Sequence, residues 1–285
     1  MAIGIGLAVL VALATNLAAL LKHRGCQGAG AVRIARPLAG LRDLSRSRWF
    51  VAGWGLAALA WLAHVAALSL APISLVQGIL AGGAVTLAVL SQRLFGDPVG
   101  PRQWTALAIG ATGLVLLVAT LPRFHGSDSH FSPTAILCFE GGLVLLAGAI
   151  ALGHRAGRLT ERRGVMRAVL AGLLFALAGI AIKALTGGAG GPVGIVALVA
   201  VTVACGALAQ YAAVAALQGG GAIETIGLMG LVANAAQIVG GIVVFRDPLS
   251  PSPLGIVLQA LAFAMVCLSA LLLPTPLPGP APVKT

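Results

Sequence analysis

Residues 71–122 read APISLVQGILAGGAVTLAVLSQRLFGDPVGPRQWTALAIGATGLVLLVATLP, and residues 221–272 read GAIETIGLMGLVANAAQIVGGIVVFRDPLSPSPLGIVLQALAFAMVCLSALL. The two stretches align without a gap when the numbering is shifted by 150. Four landmark residues of the first copy, Phe95, Asp97, Pro98 and Pro101, correspond to Phe245, Asp247, Pro248 and Pro251. Each copy is a long apolar run, a polar hinge with prolines and a second apolar run, which predicts a helical hairpin that occurs twice. A repeated hairpin is typical of membrane transporters built from internal repeats.

The composition points to a lipid bilayer as the solvent of this chain. Hydrophobic residues make up 59% of it and charged residues only 9%, with a mean hydropathy of +1.03, whereas soluble domains are about 25% charged. The net charge of +11 does not indicate a nucleic-acid partner, because the basic residues lie in the gaps between apolar runs. Three of the four cysteines lie inside apolar runs and no CxxC occurs. We therefore expect no disulfide framework, no zinc site and no cofactor.

The apolar runs are long enough to cross a membrane, which takes about 20 residues per helix. They predict helices over 2–21, 49–70, 72–95, 103–122, 134–152, 166–186, 193–216, 222–244 and 253–273. The first run is expected to be a retained anchor, since a signal-peptide core is shorter and follows a basic segment. The predicted fold is an all-α integral membrane protein of about nine helices in two repeats, four in residues 1–122 and five in residues 134–273.

The segments outside these helices have distinct characters. The basic linker 22–48 joins the first two helices, and whether it contains a re-entrant helix stays open. The tail 274–285 is proline-rich and is expected to be disordered.

The orientation follows from the distribution of Lys and Arg among the connecting segments. If the basic linker is cytoplasmic, the inner segments hold 15 basic residues and the outer ones two, Arg123 and Arg246. The positive-inside rule then places the N-terminus outside and the C-terminus in the cytoplasm of a bacterial inner membrane. The third helix runs inward and its copy, the eighth, runs outward. The two halves are therefore predicted to be inverted repeats.

Several short motifs resemble a known transporter family. These are Ala71-Pro72, Leu75-Val76 and the closing acid Asp97, together with Lys22-His23-Arg24-Gly25 after the first helix. In these features the chain resembles the drug/metabolite (EamA-like) transporter superfamily and its NIPA-like magnesium transporter branch. The resemblance implies a fold of two five-helix halves, in which residues 72–122 and 222–273 are the last two helices of each half. The linker 22–48 would then stand in place of a missing second helix. The resemblance also implies Mg²⁺ as a substrate.

Ionisable residues inside a bilayer are costly and mark candidate functional sites. Glu140, Lys183, His64 and Gln77 are predicted to lie at about one depth, toward the outer side. Glu140 and Lys183 lie on adjacent helices and could pair, either as part of a substrate or proton site or as an ion pair that locks two helices together. Lys183 could also extend its ammonium group to the interface. For His64, a hydrogen-bonded packing role is the simpler interpretation.

A second polar group follows one face of the eighth helix. Its members are Gly227, Gly230, Asn234, Gln237 and Gly241, spaced as one helical face requires. The glycines favour close helix packing, while Asn234 and Gln237 could line a central cavity. Glu224, near the start of this helix, either stabilises the helix N-terminus or acts as a gate. Asn16 and Gln210 are further polar candidates, and Asp97 and Asp247 are interpreted as ordinary hinge residues.

The leading hypothesis is a secondary transporter that moves a small solute by alternating access. Mg²⁺ binds through one or two carboxylates and water, and Glu140 and Glu224 are the only intramembrane candidates for such metal ligands. An organic or lipid-linked substrate is an alternative, and so is a non-transporting subunit that scaffolds cell-envelope machinery. No Walker A, HExxH or GxSxG motif occurs, so an enzyme is not expected. The predicted partners are membrane lipids and the solute, and a homodimer stays open.

Overall fold

The computed structural model describes residues 2–27, 42, 44–96, 99–120, 132–155, 163–187, 191–219, 221–247 and 249–272. Across these ranges every long element is a helix and no strand occurs. The helices are α1 (Ala2–Cys26), α2 (Arg48–Leu70), α3 (Ile73–Leu90), α4 (Pro101–Thr120), α5 (Pro133–Arg155), α6 (Arg163–Thr186), α7 (Pro192–Leu217), α8 (Ala222–Val244) and α9 (Pro253–Leu272). Seven of them are long and apolar enough to cross a membrane, and α9 contains a shorter apolar stretch, Pro253–Ser269. The predicted all-α membrane architecture is confirmed at this level.

Helix ends coincide with residues that cannot continue a helix or that cap one. The Ser47 side chain accepts a 3.5 Å hydrogen bond from the Phe50 amide at the start of α2. Pro72 separates α2 from α3, since a proline ring has no amide hydrogen and disfavours a helical residue before it. A single π-helical turn, Ser91–Phe95, continues α3 and ends at Gly96. Gly96 has a φ of 73°, a left-handed conformation that glycine adopts without strain.

The first helix is longer than predicted. It continues to Cys26, so Lys22 lies inside α1 and not in the basic linker. The aliphatic part of Lys22 packs against Gly53 of α2, and its ammonium group lies 5.6 Å from the centre of the Trp54 ring. These contacts allow the helix to extend past the charged residue. The remaining linker residues 28–41, the hinge residue Asp97 and the tail 274–285 lie outside the described residues.

The helices pack in corresponding sets within the two parts of the chain. α1 packs most extensively on α2, and α6 packs most extensively on α7. α1 also contacts α3, as α6 contacts α8. Between the two sets, α3 packs on α8 and α4 packs on α9. α3, α6 and α8 are the most buried spans, so the contact between α3 and α8 lies at the centre of the molecule, while α5 and α7 expose most of their surface.

Two apolar clusters lie at opposite ends of this centre. One surrounds the corner between α2 and α3 and includes Ile73, Val76, Ile180 and Phe245. The other surrounds the C-terminal end of α1 and the start of α8 and includes Leu20, Phe50, Leu87 and Leu217. The polar side chains described next lie between and beside these clusters.

Candidate functional site

A small cavity lies where α3 and α8 meet, and α1, α4 and α9 complete its walls. Its volume is about 30 Å³, more than the roughly 10–15 Å³ that one water molecule needs. Three polar side chains contribute to an otherwise apolar and glycine-rich lining: Asn16, Asn234 and Ser269. They come from α1, α8 and α9, so both parts of the chain supply hydrogen-bonding groups to one site.

The orientation of Asn16 is fixed by two backbone carbonyls. Its Nδ2 donates to the Ala12 oxygen at 2.9 Å and to the Gly83 oxygen at 2.8 Å. Glycine is required at position 83 because a Cβ atom there would lie 2.7 Å from Nδ2. Both amide hydrogens are thus used, and Oδ1 keeps its capacity to accept a hydrogen bond.

Asn234 and Ser269 keep more of their hydrogen-bonding capacity. Both residues are buried overall, and neither side chain bonds to another group within the described part of the chain. Their polar atoms are not among the fully buried ones that lack a partner, so they are accessible from the cavity that they line. A polar occupant of the cavity would find donors and acceptors there. The structure places Asn234 in the lining of this cavity.

Three of the predicted site residues meet in one hydrogen-bonded group beside the cavity. Gln77 Nε2 donates to Gln237 Oε1 at 2.9 Å and lies 3.4 Å from His64 Nε2. Gln237 Nε2 donates to the Ala233 oxygen within its own helix. Gln77 is completely buried, and its Oε1 has no partner among the described residues. Gln237 therefore belongs to this group and does not line the cavity with Asn234.

Lys183 has a different partner from the one predicted. Its Nζ donates to the Leu68 oxygen at 2.8 Å and to the Ala71 oxygen at 3.0 Å, at the C-terminal end of α2. A cation stabilises this end of a helix because the last carbonyls have no partner within it. Lys183 is only 2% exposed, so it does not extend to an interface. The structure does not pair it with Glu140, whose Oε1 lacks a partner among the described residues.

Asp247 makes a buried contact between the two halves that the sequence interpretation missed. Its Oδ2 accepts a 2.8 Å hydrogen bond from the Ser74 amide in the first turn of α3, and the side chain is buried. It had been interpreted as a hinge residue only. The signal that could have identified it is its recurrence in both copies of the hairpin, at Asp97 and Asp247.

The two glutamates predicted to bind metal lie apart from the cavity lining. Glu140 on α5 is buried, and its Oε1 lacks a partner within the described ranges. Glu224 is half-buried in the first turn of α8, where the charge of a carboxylate stabilises the helix N-terminus. Among the described residues no group of three or more His, Cys, Asp or Glu side chains could hold a metal ion.

The chain matches no protein-family model, no curated protein and no solved structure.

Proposed function

We propose that this chain is a secondary transporter that moves a small solute across a bilayer by alternating access of two inverted halves. The observation that carries the proposal is the cavity between the repeated hairpins. Polar side chains from α1, α8 and α9 converge there at the contact between α3 and α8. Transporters with inverted repeats bind their solutes at the interface of the repeats, near the bilayer midplane.

The packing supports a specific layout of the repeats. α1 and α6 have corresponding neighbours, as do α2 and α7, α3 and α8, and α4 and α9. In this layout α5 has no counterpart, so the missing helix of the first half would precede α1. This differs from the arrangement implied by the family resemblance, in which the linker 22–48 replaces a second helix. Nine membrane-spanning helices in a 4+5 arrangement are part of the proposal.

The lining favours a small uncharged polar solute. Asn16, Asn234 and Ser269 offer both donors and acceptors, and none of the lining residues is charged. Mg²⁺ prefers oxygen ligands that include carboxylates and retains much of its water. The second candidate is the divalent cation implied by the NIPA-like resemblance. The buried carboxylate of Glu140 favours it, because its Oε1 lacks a partner among the described residues.

The cavity volume of about 30 Å³ is smaller than a typical ligand site of roughly 300–1,000 Å³. The proposal therefore treats this conformer as a closed one that must open to load. We place its N-terminus outside and its C-terminus in the cytoplasm, on the Lys and Arg distribution described above.

Flux into proteoliposomes tests the proposal. Purified protein is reconstituted, and uptake of labelled glycerol, labelled urea and Mg²⁺ is compared for the wild type, Asn234→Leu and Glu140→Gln. Thr112→Val is the matched control, because Thr112 is exposed on α4 and bonds only to its own helix at Ala108.

We expect uptake of a neutral solute that Asn234→Leu abolishes and Thr112→Val preserves. Mg²⁺ uptake that needs Glu140 would assign the chain to the divalent-cation alternative. If folded protein moves none of the three solutes, the small-solute proposal is wrong, and a scaffold or a carrier of larger organic or lipid-linked molecules becomes the better interpretation.

A further inference from the structure

Two buried lysines occupy similar places in the two sets of helices. Lys22 lies four residues before the end of α1, and Lys183 lies three residues before the end of α6. They are 8% and 2% exposed. Burying an ammonium group within a membrane helix is costly, so each lysine needs a partner.

Each lysine finds its partner in the other half of the chain. Lys183 reaches from α6 to the end of α2, and Lys22 reaches from α1 to Gln210 of α7. Since α2 and α7 have corresponding places in the packing, the two contacts correspond to each other across the repeat. They lie near opposite ends of the bundle, one beside each apolar cluster.

The contact at Lys183 is tightly made. Lys183 holds the C-terminal end of α2 through Leu68 and Ala71, and Asp247 holds the start of α3 through the Ser74 amide. We call these groups the corner clamp. A cation at a helix C-terminus and an anion at a helix N-terminus both interact favourably with the helix dipole. The corner clamp therefore binds the end of α2 and the start of α3 with charged groups from the second half.

The backbone beside the clamp is shaped to bring Asp247 into place. A Cβ atom at Gly241 would lie 2.6 Å from Asp247 Oδ2 and 2.8 Å from Ile73 Cγ2, so glycine is needed there. Arg246, the residue before Asp247, has a φ of 53°. This left-handed conformation is strained for a residue other than glycine. That strain favours release of Asp247 once the hydrogen bond to Ser74 breaks.

The contact at Lys22 is looser. Lys22 Nζ lies 3.4 Å from Gln210 Oε1, a neutral acceptor, and 5.6 Å from the centre of the Trp54 ring. It thus makes one long hydrogen bond where Lys183 makes two short ones to helix-terminal carbonyls. The two corresponding ends of the bundle are therefore held unequally in this conformer.

We propose that the corner clamp is the closed gate at the α2–α3 end of the bundle and that Lys22 is the corresponding gate cation at the opposite end. This inference rests on the transport function proposed above. Opening the clamp end releases Lys183 and Asp247 from α2 and α3, while Lys22 gains firmer partners on α7. Each gate contact stabilises the conformer in which it forms. It shifts the balance between the two conformers only by the difference between its free energy in one conformer and in the other.

A distance measurement across the clamp tests this proposal without any solute. In a full-length chain with its four cysteines replaced, spin labels are placed at Leu70→Cys and Leu249→Cys, both exposed positions on the two sides of the clamp.

The wild type should give a short and a long distance population. Lys183→Met and Asp247→Asn should each raise the ratio of long to short by about tenfold, the weight of one charge-assisted hydrogen bond. Lys22→Met, the matched variant at the other end, should lower that ratio.

If the wild type and both clamp variants all show one unchanged distance, the gate proposal is wrong. The corner clamp would then hold α2 and α3 together permanently. Loss of folded protein in both variants, combined with one distance in the wild type, leads to the same conclusion. The flux assay separates this result from failure of the transport proposal. Distances that shift while no solute moves would keep the gate and reject the transporter, whereas flux with fixed distances would do the reverse.

Discussion

Buried polar side chains connect distant parts of the sequence in this molecule. Gln77 bonds to Gln237, Lys183 bonds to the end of α2, and Asp247 bonds to the start of α3. Each bond joins a residue of the first half of the chain to one of the second half. Water is absent from the bilayer interior, so buried polar groups must find partners within the protein. Because neighbouring helices also offer partners in the unfolded state, each bond adds little net stability to the fold.

The bond between Gln77 and Gln237 can be measured by a double-mutant cycle. Gln77→Leu and Gln237→Leu should each destabilise the fold by about 1 kcal/mol. The two should couple by about 0.6 kcal/mol, the average for side-chain hydrogen bonds in a membrane protein. Reversible unfolding in mixed detergent micelles supplies the free energies.

A control cycle pairs Gln77→Leu with Thr105→Val, because Thr105 is exposed on α4 and bonds only to Pro101 of its own helix. Its coupling should be close to zero. Equal coupling in the two cycles would contradict a specific bond between the glutamines.

At the scale of the helix, the packing depends on glycines at a few close approaches. A Cβ atom at Gly53 would lie 2.8 Å from the Ala18 oxygen and 2.9 Å from the Lys22 amide nitrogen. Gly55, one half-turn further along α2, has no atom within 4 Å of the same position. The two glycines therefore differ only in the helix face that they occupy.

Alanine at these two positions should have opposite effects. Gly53→Ala forces α1 away from α2 and should cost about 1–3 kcal/mol of unfolding free energy. Gly55→Ala should be neutral or stabilise by up to about 1 kcal/mol, because alanine has the higher helix propensity. Thermal unfolding of the purified variants compares them. A loss of stability that is equal at the two positions would contradict the observed α1–α2 contact.

The sequence predicted the helices better than their contacts, for a physical reason. A run of about 20 apolar residues requires a helix in a bilayer, and α3 begins at Ile73 and α8 ends at Val244, close to the predicted ends. Depth along each helix can be counted from the same pattern. The rotation of a helix and the choice of its neighbours cannot be counted in this way, so the sequence did not identify the hydrogen-bond partners of Lys183 and Asp247.

At the scale of the whole molecule, the proposed alternating access requires opposite orientations of the two repeats. We expect a fluorescent protein fused after Thr285 to be fluorescent, because the C-terminus is proposed to be cytoplasmic. We expect alkaline phosphatase fused before the first helix to be active, because the N-terminus is proposed to be outside. Both reporters on the same side would contradict the odd number of crossings, and the reverse result for both would invert the proposed orientation.

Alternating access makes a further demand on the molecule: the cavity between the hairpins must open to each side in turn. Ser269 is buried on the cavity wall and differs from cysteine by one atom. Ser269→Cys in a chain without other cysteines therefore places a reactive thiol at the proposed solute site with little change in volume.

The most direct test is the reaction of this thiol with a membrane-impermeant maleimide, added to sealed vesicles from one side or from the other. We predict labelling from both sides when Lys22 and Lys183 are intact. Lys22→Met should slow labelling from the clamp end, because it lowers the population of the conformer that is open there. The comparison variant Lys183→Met should speed labelling from the clamp end. Labelling from neither side, or from one side only in every variant, would contradict transport by alternating access.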